Sequence, residues 1–350
     1  PTWEPRFIHD SYACRKGKGT HAAVKQLQSF MRKVSNNRSR TAFFLQIDVR
    51  SFFMSINKRI LFALLERKEN NPDIVWLLST VIFHDPTVKP EVTGQLSLFD
   101  LIPPHKSLFT TNNIRGLAIG NYTSQFFANV YLNEVDQFVK HHLKCRYYLR
   151  YVDDLVLLSH ERSVLEQHEK AICEFLQTRL RLGLNMKRRM LAPLSNGCNF
   201  LGYVIRPTHL LVRRRCVNNL KQKLRQHLPL LIGKSPGWLV IKHDTETVEK
   251  LHSMLASYLG HFQHAATQRL LSSVFCNHSL NNFFMIKKNR LHIIDKPPRF
   301  ANLYTQYRWF LRRYHDSLIF FQVGRYYEFY GKQGQIAREI FNLKIDGNID

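Results

Sequence analysis

The sequence is short of acid. Against 51 Lys and Arg it carries only 26 Asp and Glu, a formal charge of +25 over 350 residues. An excess of that size is the electrostatic footprint of a protein that binds a polyanion, nucleic acid above all. Cysteine is sparse and scattered: positions 14, 145, 173, 198, 216 and 276, with no Cys-x-x-Cys pair. That spacing argues against a disulfide framework and against a structural zinc site, and it sets the expectation of a reducing, intracellular compartment. No apolar run approaches the roughly 18 residues of a membrane span, and there is neither a secretory segment nor a lipidation motif, so no membrane partner is expected. There is no internal repeat. Apolar content, by contrast, is ample at 44%, enough for one large core or several smaller ones, which excludes global disorder.

Periodicity divides the chain. A basic, aromatic stretch, Phe7 to Lys33, contains Arg15-Lys16-Gly17-Lys18-Gly19 and leads into a helix from His21. Thr41 to Asp48 reads as a buried strand ending on a carboxylate, with a helix after Asn57. Asp85 to Pro104 carries Pro86, Pro90, Gly94, Pro103 and Pro104, which breaks both periodicities and marks a long loop. Beyond Gly116 and Gly120, with Thr123 and Ser124 as caps, Phe127, Val130, Tyr131, Val135 and Phe138 recur at helical spacing. Arg146 to Tyr151 and Leu155 to Ser159 flank Val152-Asp153-Asp154 as the arms of a hairpin with acids at its tip. A helix follows from Ser163 to about Arg181, ending before Gly183. From Val217, apolar residues at 217, 220, 224, 228 and 231 alternate with Lys221, Lys223 and Arg225, an amphipathic helix with a basic outer face. Pro297-Pro298 sets off a last aromatic-rich segment. The order strand, helix, helix, hairpin, helix, strand in residues 41 to 205 predicts an α+β fold, an antiparallel sheet with helices on one face.

Asp48 at a strand end and Asp153-Asp154 at a hairpin tip would converge if their strands are neighbours. Three carboxylates on stiff strands are what two magnesium ions about 3.5–4 Å apart require when a 3′-hydroxyl is to be activated and a leaving pyrophosphate neutralised. An isolated Asp-Asp pair is more often only a polar turn. Here the pair lies between apolar strands, after an aromatic, with a further acid ending another buried strand upstream.

Over roughly residues 1 to 290 the chain resembles the reverse transcriptase family. The motifs that carry the resemblance occur in the family's order: Asp48-Val-Arg-Ser-Phe-Phe53, Gly116-Leu-Ala-Ile-Gly-Asn-Tyr-Thr-Ser-Gln125, Tyr151-Val-Asp-Asp154, Leu184-Asn-Met-Lys-Arg188 and Phe200-Leu-Gly-Tyr203. The resemblance implies a right-hand polymerase, with fingers at 1–40 and 57–115, a palm at 41–56 and 116–205, and a helical thumb at 206–296. A small C-terminal α/β appendage would occupy 297–350. It implies that Asp48 and Asp153 ligate two Mg2+ ions with the carbonyl of Val49, and that Asp154 supports them. Phe53 falls on the steric gate that selects dNTPs. Arg15, Lys16 and Lys18 match the cations that hold the triphosphate, and either Lys187 or Arg188 falls where a residue can protonate pyrophosphate, though a guanidinium is a poor proton donor. Tyr151 with Leu201, Gly202 and Tyr203 matches the primer-positioning elements. Arg206, Arg213, Arg214, Arg215, Lys221, Lys223 and Arg225 would track an RNA–DNA hybrid by its backbone.

The glycine loop departs from the commoner Gln-Gly. Ile119-Gly120, followed by Ser124-Gln125, resembles the pattern of diversity-generating retroelement reverse transcriptases, which copy a template RNA with errors opposite adenine. Replacing an amide by Ile119 removes a hydrogen-bonding group able to report base-pair geometry. That subfamily implies a bacterial or phage-encoded cytoplasmic protein assisted by a small basic accessory oligomer. A defence-associated or retron-like reverse transcriptase, and a catalytically silent nucleic-acid-binding scaffold, are the rival readings. Residues 304 to 343 resemble the start of the mismatch-recognition domain of MutS-type repair proteins, with Tyr326 and Glu328 in place of its Phe-x-Glu motif. An aromatic appendage that binds RNA or a partner is the alternative there.

Overall fold

Phe44 and Leu45 are adjacent in β1 (Phe43–Asp48), point to opposite faces, and are both fully buried. The sheet that contains them is therefore covered on both sides. The coordinates come from a computed structural model that describes residues 3–88, 90–91, 101–235, 238–242, 244–288, 290–294 and 300–342. They divide into two compact units, residues 1–223 with 258–274, and residues 224–257 with 275–350.

In the first unit, α1 (Thr20–Val34) precedes β1, and α2 (Phe52–Ser55), α3 (Lys58–Glu66) and α4 (Pro72–Phe83) follow it. Next come α5 (Tyr122–Gln137), β2 (Tyr148–Tyr151), β3 (Asp154–Ser159), α6 (Arg162–Arg179) and β4 (Met190–Pro193). The main sheet is antiparallel in the order β2-β3-β1-β4. A second antiparallel sheet joins β5 (Cys198–Phe200), β6 (Tyr203–Ile205) and β7 (Leu210–Val212), and α7 (Arg214–Leu231) leaves it for the second unit.

The two faces explain two cores. Leu45, Ile47, Leu155 and Leu157 pack with Phe127, Val130, Tyr131 and Val135 of α5 and with Leu165, Ile172 and Leu176 of α6. Phe44, Leu149, Val156 and Leu158 pack with Val24, Leu27 and Met31 of α1 and with Phe200, Tyr203 and Ile205. The expectation of helices on one face is thus corrected: α1 and the small sheet cover the other, because β1 and β3 are apolar at successive positions and both sides need cover.

Local signals held closely. Asn57 caps α3 by accepting from the amides of Arg59 and Ile60. The helix expected after Gly120 starts at Tyr122 behind Asn121, so Thr123 and Ser124 sit inside its first turn rather than capping it. Helix α4 stands apart: among its residues only Ile82 is buried, while Ile74, Trp76, Leu77, Val81 and Phe83 are exposed. The long loop expected at 85–104 falls partly outside the described residues.

The second unit holds a hairpin of β8 (Ile232–Ser235) and β9 (Trp238–Ile241), most of α8 (Thr245–Phe262), and the end of α9 (Gln268–Asn277). A hairpin of β10 (Phe284–Lys287) and β11 (Arg290–Ile293) follows, then α10 (Leu303–Arg313), β12 (Phe321–Val323), β13 (Tyr326–Glu328) and α11 (Lys332–Phe341). The Pro297-Pro298 boundary and residues 343–350 lie outside the described residues. Among those described, no helix is long and apolar enough to cross a membrane.

Candidate active site

The register of the main sheet brings the three aspartates together. Asp48, last residue of β1, lies directly opposite Asp154, first residue of β3, and the amide of Val49 donates to the carbonyl of Asp153 at 3.2 Å. Asp153 belongs to the two-residue turn Val152-Asp153 between Tyr151 and Asp154. Val152 has φ 54°, an uncommon conformation for a β-branched residue, with a cost on the order of 1–3 kcal/mol that surrounding contacts must hold in place.

Those contacts come from Arg150. Its side chain is fully buried, paired with Asp136 through Nε and Nη2, while Nη1 donates to the carbonyl of Val152 at 2.9 Å and to Asn129 at 3.2 Å. Tyr148 also donates to Asp136, at 2.7 Å, and the Arg150 backbone exchanges hydrogen bonds with Asp10 and Tyr12. Around the carboxylates themselves, Gln46 donates to both oxygens of Asp154 at 3.1 and 3.2 Å, and Asn185 donates to Asp48 at 3.0 Å. Sequence reasoning assigned no role to Arg150, Asp136, Gln46 or Asn129. The signal was there: each is a polar residue inside an apolar strand or on the buried face of a helix.

Crowding on a buried edge raises the carboxyls of Asp153 and Asp154. Burial first, then the charge of Asp48, pushes Asp153 up. Burial likewise pushes Asp154 up to about 6, against the hydrogen bonds from Gln46, with Asp48 and Asp153 adding to the rise. Such a cluster favours a positive counter-charge. Among the described residues no three acidic, histidine or cysteine side chains close into a metal cage. An open set of hard oxygen donors fits magnesium, which keeps several waters and takes further ligands from its substrate.

The other residues singled out in the sequence occupy the following positions. Phe53 is half-buried in α2, against Phe52, and its carbonyl accepts from Leu117 at 2.9 Å, which ties the glycine loop to the segment after β1. In that loop Ile119 is 70% exposed, Gly120 has φ 107°, and Gln125 accepts from the Cys14 thiol at 3.0 Å. Of the Lys187 and Arg188 pair, Arg188 reaches Asp48, at 3.5 Å, and Lys187 is exposed. Tyr151 shares a hydrogen bond with Thr20 and packs edge-on to Phe200.

Elsewhere the structure redistributes roles. Arg15 is turned inward, held by Glu4 and by the carbonyls of Ile8 and Ser11. Lys18 bonds the carbonyl of His9 and lies over Tyr12, whereas Lys16 is exposed. Leu201 and Gly202, with φ 48° and 88°, form the two-residue turn between β5 and β6. A Cβ on Gly202 would lie 2.9 Å from the His261 ring, so glycine is needed on both counts. Tyr203 is fully buried and donates to the carbonyl of His261, a core position. Arg213, Arg214, Arg215, Lys221 and Arg225 are exposed, the last four along α7. In the second unit, Tyr326 is exposed on β13 and Glu328 accepts from Tyr330.

The model of the family described as reverse transcriptase (RNA-dependent DNA polymerase) matches residues 2–205, and that of MutS domain I matches residues 301–348. No curated protein matches the chain. Solved structures similar to it include telomerase from Candida albicans in complex with a TWJ fragment of telomeric RNA, at 12% identity and TM-score 0.39, covering 73% of this chain and 44% of that one. Apo telomerase from Candida tropicalis is similar at 11% identity and TM-score 0.41, covering 76% and 48%. The chain thus spans less than half the length of these telomerase chains.

Proposed function

The chain belongs to the reverse transcriptase (RNA-dependent DNA polymerase) family, and from that premise we propose that it copies a template RNA into complementary DNA by two-metal nucleotidyl transfer. The single observation that carries the reading is the pairing of Asp48 with Asp154 beside Asp153 on a turn held by Arg150. Asp48, Asp153 and the Val49 carbonyl would hold two magnesium ions, with Asp154 in support. When bound, the ions lower the pKa of the primer 3′-hydroxyl and neutralise the leaving pyrophosphate.

The chain's own residues do the rest. Gln46 and Asn185 fix the carboxylate rotamers, so the donor set is ready before substrate arrives. The exposed Lys16, with Lys18 beside it, meets the triphosphate, and Arg188 or Lys187 meets the pyrophosphate as it leaves. Phe53 acts as a bulky gate that excludes a ribose 2′-hydroxyl and so selects dNTPs, a role that rests on its position five residues after Asp48. The turn at Leu201-Gly202 places the primer end, and the cations of α7 follow the hybrid backbone. The division into fingers, palm, thumb and a C-terminal MutS-like appendage belongs to the same proposal.

Ile119 and Gln125 support the narrower reading of a diversity-generating retroelement enzyme, error-prone opposite adenine and served by a small basic accessory protein. An apolar, exposed side chain in the glycine loop offers no polar check on the nascent pair. The test is primer extension on an RNA template with dNTPs and magnesium. Asp153→Asn should abolish extension while hybrid binding persists; extension at the wild-type rate by that variant would overturn the reading.

A further inference from the structure

A second cationic site lies at the other end of the strand that carries Asp48. It is a cavity of about 510 Å3 with Arg38, Arg40 and Arg206 on its walls, joined by Ser39, Ser195 and Thr208. Its floor includes Ala42, just before β1, and Pro193, which pairs with Phe43. The six residues of β1 separate this floor from Asp48, roughly 20 Å at about 3.4 Å per residue. The cavity is no part of the carboxylate site.

Its chemistry is one-sided. No acidic side chain lines it, and no described carboxylate pairs with any of the three arginines. Arg206 makes the point sharply, since its Nε is buried without a hydrogen-bond partner. The stem is packed so closely on Gly197 that a Cβ there would come within 3.1 Å of Cγ. Its backbone is pinned too, accepting from Gln28 and donating to the carbonyl of His209. That nitrogen is shut off from solvent against Gly197, so its lost hydration is uncompensated, and an anion held elsewhere in the cavity would offset the cost through its charge. The opposite wall is also fixed in advance. Asn36, Asn37 and Arg38 are successive left-handed residues, with the Arg38 amide donating to Ser35 and Arg40 Nε donating to the carbonyl of Val34.

The lining also tells which anion. Its one aromatic ring is the His209 imidazole, against three guanidinium forks and several hydroxyls suited to phosphate and sugar oxygens. A mononucleotide site would need a reader for the base. We propose that this cavity binds backbone phosphates of a polynucleotide strand, anchoring nucleic acid at a place separate from the carboxylate centre.

The test uses the full chain and two ligands, a minimal RNA–DNA hybrid and the same hybrid with a long single-stranded RNA extension. Arg38→Glu, at an exposed residue, should weaken binding of the extended ligand by about tenfold near physiological salt and flatten its log Kd against log salt by about one. Extension of the minimal hybrid should stay unchanged. Ser195→Glu, exposed on the other wall, should act alike if charge in the cavity is the cause. An extension made of DNA that responds equally assigns the contact to phosphate alone; a response confined to RNA adds the 2′-hydroxyl. Unchanged binding of the extended ligand by both variants overturns the proposal. So does displacement by inorganic phosphate or a mononucleotide that is independent of strand length. Failure of extension in the wild-type protein would instead strike at the polymerase reading and leave this binding result standing.

Discussion

Arg150 of β2 and Asp136 of α5 form an ion pair with no solvent exposure on either side chain, 2.7 Å at its shortest and fourteen residues apart in sequence. Because Arg150 also holds the Val152 carbonyl, the pair couples the core to the turn that carries Asp153. Removing one member of a buried pair leaves the other charge without compensation, at a cost of about 3–5 kcal/mol. Asp136→Ala should lower stability by that amount in chemical denaturation. Polymerase activity should fall further than the folded fraction does, as the turn loses its support.

The carboxylates give a pH dependence whose sign is unusual for acids. Asp154 titrates near 6 in the folded protein against 3.8 for an exposed aspartate, and Asp153 is raised as well. The folded state therefore holds these protons more tightly than the unfolded chain. The contribution of Asp154 to stability is full below about pH 4 and is lost as pH rises through about 6, and Asp153 acts in the same direction. Magnesium must displace the same protons. Its stabilising effect on the thermal midpoint, measured against a chelator, should be large at pH 8 and small at pH 5. An increment independent of pH would place the ion elsewhere.

Gln46 is the neighbour that opposes the rise at Asp154, donating to both its oxygens. Gln46→Leu keeps the volume and removes the donor. The variant should fold, push the Asp154 carboxyl higher still, and need more magnesium or higher pH for half-maximal extension. Hydrogen bonds to a charged group are worth about 1.5–3 kcal/mol, so a shift of at least tenfold in magnesium is expected. An unaltered magnesium titration would show that Asp154 takes no part in holding the ion.

Fidelity tests the glycine loop. Ile119→Gln restores an amide at an exposed position, so nothing in the fold opposes it. Errors opposite template adenine should fall while extension on correct pairs continues, read by sequencing the cDNA. An unchanged error spectrum would remove Ile119 from any account of mutagenesis.

The sequence by itself determined the elements that depend on near neighbours. The strand at Phe43–Asp48, the hairpin around Val152-Asp153, the helix after Asn57 and the amphipathic spacing of α7 are all written in runs of a few residues. The order of the motifs likewise sufficed to anticipate the family. Tertiary structure decided what depends on register and on distant partners. It set Asp48 opposite Asp154 and brought Gln46 to Asp154 across 108 residues. It turned Arg15 inward, buried Tyr203 in the core, and gathered Arg38 and Arg206 into one cavity. A side chain's charge is visible in the sequence, but whether it faces water, a carbonyl or an empty cavity is fixed only when chain segments far apart are packed against one another.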